Sequence, residues 1–141
     1  GAVSAEARAL VQAARRARDA AIAEVRPGVR LGDLGAIIEE VASAAGLSVV
    51  REFGGHGIGR AMHMPPHVPH HGRRGRGLRL REGMAFTIEP MLNAGSAEVW
   101  VAADGWRVQT RDGRWSAQAE HTLIVTASGC EVTTAAVRLE V

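Results

Sequence analysis

The chain has 141 residues, of which 46% are apolar and 23% charged, and its formal net charge is +2. This length and composition predict one folded domain over residues 1–141 and exclude a disordered chain. All 17 Lys-plus-Arg positions are arginine, and aromatic residues make up only 4%, which disfavours a DNA-binding surface. Because no apolar run reaches the ~20 residues of a membrane span, we expect no membrane partner.

The cysteine count bears on the cellular location of the protein, and the first residue bears on whether the chain is part of a longer one. Cys130 is the only cysteine, so no internal disulfide can form, which suits a cytoplasmic location. The sequence begins with Gly1 rather than Met. We therefore expect it to be part of a longer protein or a processed product.

Two amphipathic helices are predicted first. Apolar residues recur at steps of three and four over residues 4–26, and Ser4 is a suitable N-cap. Pro27 and Gly28 end this helix. A second apolar stripe covers residues 31–45, and Gly46 suits the position just after a helix.

Strands are predicted after the helices. They cover residues 47–53, 84–88, 98–101, 107–110, 117–126 and 130–134, and the third and fourth form a hairpin around a turn at 103–105. Residues 64–77, rich in proline and glycine, are predicted to form a loop in which His67, His70 and His71 are solvated. Two helices followed by several strands predict an α+β fold with an antiparallel sheet.

Three residues have the chemistry of metal ligands. His56 lies among glycines, Glu89 ends an apolar strand, and Glu120 lies within the 117–126 strand. A buried carboxylate needs a partner, and one imidazole with two carboxylates suits Zn, Mn, Fe or Co. The alternatives are a turn histidine without a partner and a strand-end glutamate that reaches solvent.

The segments around these residues resemble those of a known protein family. Residues 55–60, 83–91, 104–106 and 116–122, in this order and spacing, resemble the methionine aminopeptidases. The resemblance covers nearly the whole chain. It implies the carboxy-terminal half of the pita-bread fold, with two helices packed on an antiparallel sheet.

The resemblance also implies roles for individual residues. His56, Glu89 and Glu120 would be ligands of a divalent ion (Co, Mn, Fe or Zn), and His63 would contact the substrate or stabilise the tetrahedral intermediate. Met62 and Trp106 would line the pocket for the methionine side chain. The reaction would be metal-dependent removal of the initiator methionine from nascent proteins.

One departure limits this reading. The family places two aspartate ligands in an upstream half, and none of Asp19, Asp33, Asp104 and Asp112 is a credible substitute. Full activity is therefore expected to need that half, in the same chain or as a separate one. Expected partners are nascent N-termini, the ribosome, and an upstream-half chain or a second copy. The alternatives are an inactive protein- or ribosome-binding module and a one-metal peptidase.

Overall fold

The first helix buries a stripe of small apolar side chains. In the computed structural model, which describes residues 2–135, helix α1 spans Ala5–Ala23. The Ser4 hydroxyl accepts a hydrogen bond from the Ala7 N–H at 3.1 Å, which confirms the predicted N-cap. The buried residues of α1 are almost all alanine: Leu10, Ala13, Ala14, Ala17 and Ala21. The helix ends three residues before the predicted end, with Glu24 as its C-cap.

Helix α2 spans Leu31–Ala44 and packs against α1. Gly46, with φ of 68°, follows its C-cap, as predicted. The Asp33 carboxylate accepts hydrogen bonds from the main-chain N–H groups of Gly75, at 2.6 Å, and Arg30, at 2.8 Å. These two bonds hold the pKa of Asp33 below its ordinary value. Asp33 therefore caps a helix and fixes a turn, consistent with its exclusion as a metal ligand.

Ten short strands follow α2 within the described residues. They are β1 Ser48–Val49, β2 Gly54–Gly57, β3 Met64–Pro69, β4 Ala85–Ile88, β5 Met91–Asn93, β6 Val99–Val101, β7 Val108–Thr110, β8 Ser116–Gln118, β9 His121–Val125 and β10 Cys130–Val132. They form a five-stranded sheet in the order β10-β9-β4-β2-β3, a three-stranded sheet in the order β1-β5-β8, and the hairpin β6-β7. Every strand pair is antiparallel, as predicted.

The prediction of a loop over residues 64–77 is wrong in its first part. Residues Met64–Pro69 form β3, which pairs with β2 at the edge of the five-stranded sheet. Proline lacks the N–H that an inner strand must donate, but an edge strand tolerates it. His67 is exposed, as predicted, whereas His70 is buried with 1% exposure, so its predicted solvation is wrong.

Two long strand predictions also need correction. The predicted strand over 117–126 is two strands, because β8 belongs to the three-stranded sheet and β9 to the five-stranded sheet. Ala119 and Glu120 lie in the break where the chain passes from one sheet to the other. The predicted strand over 47–53 is only Ser48–Val49, and β5 was not predicted.

The core lies between the two helices and the two larger sheets. Phe86, Ile88, Leu92 and Leu123 from these sheets are each at most 1% exposed and pack in one cluster with the buried faces of α1 and α2. Within residues 2–135, no helix is both long and apolar enough to cross a membrane. Thr87 and Thr122, which pair across β4 and β9, lie on the opposite face of the five-stranded sheet.

Candidate metal centre

The glycines around His56 are explained by close contact between strands. A Cβ at Gly55 would collide with the carbonyl oxygen of Thr87, and one at Gly57 with that of Pro65. Neither glycine has a positive φ. Strand β2 runs between β3 and β4 at a distance that admits no side chain at these two positions. The glycines therefore allow His56 to lie between its two neighbouring strands.

Strand alternation brings Glu89 to the same site. Phe86 and Ile88 point into the core, so Thr87 and Glu89 lie on the other face of β4 and its continuation. The Thr87 hydroxyl oxygen accepts from the His56 N–H at 3.0 Å, and the hydroxyl donates to Glu89 Oε1 at 2.7 Å. Thr87 thus links the main chain of one candidate ligand to the carboxylate of the other. No motif in the sequence singled out Thr87, although its position two residues before Glu89 placed both on one face.

The two candidate ligands face each other directly. His56 Nε2 lies 3.5 Å from Glu89 Oε1, and the side chains are 18% and 12% exposed. His56 Nδ1 lies 3.0 Å from the Gly57 carbonyl oxygen, to which an Nδ1–H donates. In a neutral imidazole that donation leaves the lone pair on Nε2. An imidazole lone pair and a carboxylate oxygen then face each other. Both atoms could bind one cation, which suits a metal site.

The Glu89 carboxylate is held on both oxygens. Gln118 Nε2 donates to its second oxygen, Oε2, at 2.9 Å. Within residues 2–135, the one basic side chain in contact with this carboxylate is that of His56. Burial raises the pKa of Glu89 above its ordinary value of 4.5, and the negative charge of Glu120 adds to the rise, although the Thr87 hydrogen bond opposes it. Ionisation of this carboxyl group therefore lowers the stability of the metal-free fold.

That cost leads to a prediction for Glu89→Gln. Because the folded pKa is raised, the wild-type protein loses stability as the pH rises from 4.5 through the folded pKa. The amide cannot ionise, so the metal-free variant should be more stable than the wild type at neutral pH. Below pH 4.5 both side chains are neutral and the gain should disappear. Thermal unfolding followed by circular dichroism in EDTA measures both conditions.

The matched control is Glu82→Gln, an exposed glutamate in the turn before β4. It should leave the melting temperature nearly unchanged at both pH values. A Glu89→Gln variant that is less stable than the wild type at neutral pH would show that the carboxylate stabilises the metal-free fold, contrary to this argument.

The other predicted polar residues lie around this pair. Glu120 is exposed, yet close enough to Glu89 for its charge to raise the pKa of that carboxyl. The rings of His63 and His56 are in contact, with centroids 4.3 Å apart. Within residues 2–135, however, no group of three or more His, Cys, Asp or Glu side chains is arranged to hold a metal ion. The structure thus brings two of the three predicted ligands together, with the third nearby.

An apolar cavity of about 320 Å³ lies beside Gln118, the residue that donates to Glu89. Its apolar lining comes from β5, β8, the hairpin and the segment after β1: Val50, Phe53, Met91, Val99, Val108 and Ala117. The predicted pocket residues Met62 and Trp106 are not part of this lining and are 69% and 90% exposed. Their role in a pocket stays a prediction. No local pattern in the sequence indicated this cavity, because its lining comes from short strands that are separate in the sequence.

His70 was placed by the sequence analysis in a solvated loop, but it belongs to this site. Its Nε2 accepts the main-chain N–H of Glu89 at 3.1 Å. Burial, with smaller contributions from the neighbouring His67 and His71, lowers its pKa from 6.5 to about 4, so the imidazole is neutral at neutral pH. No local pattern in the sequence indicated this burial, which depends on packing between β3 and the end of β4.

Proteins of one peptidase family resemble this chain. Residues 1–127 match the model of metallopeptidase family M24. The chain is 54% identical over 136 residues to methionine aminopeptidase B of Synechocystis sp., a match that covers 96% of this chain and 50% of that protein. It is 50% identical over 114 residues to the methionine aminopeptidase of Escherichia coli K12, covering 81% of this chain and 43% of the relative.

Solved structures show the same relationship. The methionine aminopeptidase of Rickettsia prowazekii superposes with a TM-score of 0.92 and 47% identity, covering 94% of this chain and 54% of that one. Prolidase from Pyrococcus furiosus, at 21% identity and a TM-score of 0.71, shares the fold. These matches confirm the resemblance to methionine aminopeptidases and the predicted half of the pita-bread fold.

The chain spans about half the length of the relatives that it matches. That half contains His56 in β2, Glu89 directly after β4, and the contacts that hold their side chains together. On the family match over residues 1–127 and this fold, the chain belongs to metallopeptidase family M24.

Proposed function

We propose that this chain contributes half of the active site of a metal-dependent aminopeptidase that removes the initiator methionine from nascent proteins. The observation that carries the proposal is the 3.5 Å approach of His56 Nε2 to Glu89 Oε1. Two electron-pair donors so close together suit a divalent cation. Family membership and the identity to methionine aminopeptidases support the same reaction.

His56 and Glu89 would hold the ion, and Glu120 would be the third ligand from this chain. Thr87 and Gln118 orient the Glu89 carboxylate, as supporting hydrogen bonds around metal sites generally do. The chemistry that such an ion supplies when bound is activation of a water and polarisation of a carbonyl. Further ligands would come from outside this chain, because the described residues lack a complete set.

His63 would act on the substrate. Its ring contacts the His56 ring but is exposed, so it reaches outward from the candidate metal site. An imidazole at this place can donate a hydrogen bond to the carbonyl oxygen of the scissile peptide as negative charge develops there. His63 would therefore stabilise the tetrahedral intermediate.

The apolar cavity beside Gln118 would receive the side chain of the N-terminal residue. Its volume of about 320 Å³ lies at the small end of the roughly 300–1,000 Å³ of small-molecule sites. An apolar lining suits the unbranched thioether of methionine, which adapts to irregular spaces. Met62 and Trp106 would add to this pocket once the other half of the site is in place.

The proposed partners follow from the same argument. The substrate would be a nascent N-terminus in the cytoplasm, with the ribosome as a further contact. The exposed tryptophans on and beside the hairpin support association with an upstream-half chain or a second copy: Trp100, Trp106 and Trp115.

Reconstitution tests the activity. The chain is mixed with the remaining half of the Synechocystis relative and with Mn²⁺, and methionine release from a Met-Ala peptide is measured. We expect release by the mixture and none by either half alone. Glu89→Gln keeps the size of the side chain and removes its charge, so it should abolish release in the mixture.

A matched Glu82→Gln mixture should retain full release, because that residue is exposed and away from the site. A mixture that associates and binds Mn²⁺ but releases no methionine would make the peptidase proposal wrong. The binding-module alternative would then account for the retained fold.

A further inference from the structure

His70 is an unusual residue to bury. It follows β3 directly and is 1% exposed, although β3 is the edge strand of its sheet. Its Nδ1 is buried and finds no hydrogen-bond partner within residues 2–135. Burying a polar atom without a hydrogen-bond partner destabilises the folded state. An apolar side chain would fill the space at lower cost, so packing alone does not explain an imidazole here.

The other ring nitrogen makes one specific contact. His70 Nε2 accepts the main-chain N–H of Glu89 at 3.1 Å. This N–H lies where β4 has ended at Ile88, and the following residue, Pro90, has no N–H to donate. The bond to His70 therefore fixes the main chain between β4 and β5, where no strand pairing is available to do so.

The Glu89 side chain depends on that main-chain position. Its carboxylate must meet the Thr87 hydroxyl, Gln118 Nε2 and His56 Nε2 at once. A shift of the Glu89 Cα would disturb all three contacts. We propose that His70 is a positioning residue, whose Nε2 holds the Glu89 main chain so that the carboxylate faces His56. The proposal rests on the proposed function only in taking Glu89 as a metal ligand.

Nuclear magnetic resonance tests the hydrogen bond itself in the metal-free chain. An N–H···N hydrogen bond transmits a scalar coupling, so the Glu89 amide nitrogen should couple to His70 Nε2. The long-range ¹H–¹⁵N spectrum should also show the proton of the His70 ring on Nδ1. A proton on Nε2, or no coupling, would overturn the proposal.

Three variants separate positioning from packing. His70→Gln keeps an acceptor near the place of Nε2, and His70→Leu fills the space without one. Val68→Ala, in the strand that His70 follows and also 1% exposed, is the control for general destabilisation. The Glu89 carboxyl ¹³C and His56 ring ¹⁵N signals should move in His70→Leu and stay near their wild-type positions in His70→Gln and Val68→Ala. Equal shifts of these signals in His70→Leu and Val68→Ala would show that His70 acts only by packing.

Mn²⁺ titration of the reconstituted mixture is the second readout. Affinity should fall about 10–100-fold in His70→Leu, the usual effect of removing a group that orients a ligand, and remain near wild type in the other two variants. If the wild type binds no Mn²⁺, the proposed function fails, while the resonance measurements still decide the role of His70. If the wild type binds and His70→Leu binds equally well, the positioning role is wrong.

Discussion

Replacing His56 with alanine should lower Mn²⁺ affinity by more than about 100-fold, because outer groups around a metal site already account for 10–100-fold. The variant removes one of two donors that the structure places 3.5 Å apart. Calorimetric titration with Mn²⁺, of the chain alone and mixed with the other half of the Synechocystis relative, measures the loss. The expected result is saturable binding by the wild-type mixture and binding weaker by more than about 100-fold in the variant.

The control for this experiment is the double variant His67→Ala/His71→Ala. Both histidines lie near the end of β3, and His67 is exposed, so they could hold stray metal without any role in the site. The double variant should keep the saturable binding. Binding that persists in His56→Ala and disappears in the double variant would show that the metal binds at His67 and His71. That result would contradict the candidate centre.

Gly57→Ala should reduce the free energy of unfolding by about 3 kcal/mol, the upper end of the usual cost of overpacking. A Cβ there would collide with the Pro65 carbonyl and would also meet the Met64 carbonyl. Both are main-chain atoms of the paired strand β3, so they cannot move away without disrupting the sheet. The pairing of β2 with β3 shifts register between His56 and Gly57, so the strain would act directly beside the candidate ligand.

Denaturant unfolding followed by circular dichroism measures this change, and Gly59→Ala is its matched control. Gly59 lies in the same glycine-rich segment and has no positive φ. The nearest atom to a Cβ there would be Met64 Sδ at 3.5 Å, an ordinary contact. Its effect should stay within about 0.5 kcal/mol. Equal losses in the two variants would show that the segment needs glycine for another reason than close strand packing.

The parts of the fold that were predicted correctly depend on neighbouring residues. The apolar stripes and the caps Ser4 and Gly46 lie within single helices, and the turn at 103–105 lies within one hairpin. Hydrogen bonds and side-chain spacing over a few residues decide such elements. The proposal of His56 and Glu89 as ligands also rested on local features, a glycine frame and a carboxylate at the end of an apolar strand, and it stays a prediction.

The wrong predictions concern residues whose environment is set by distant partners. Proline suggested a loop over 64–77, but the edge position of β3 makes proline acceptable there. The run over 117–126 looked like one strand, because nothing local shows that its halves pair with β5 and β4 in different sheets. His70 looked solvated because its burial depends on β4, many residues further along the chain.

The sequence by itself therefore determined the α+β class, both helices and the family resemblance, and it led us to propose the candidate ligands. The tertiary structure alone decided which side chains meet. It placed His56 Nε2 opposite Glu89 Oε1 and surrounded that carboxylate with Thr87, Gln118 and His70. The physical reason is range: helix periodicity and capping act over a few residues, whereas strand pairing and burial join residues that no local pattern relates.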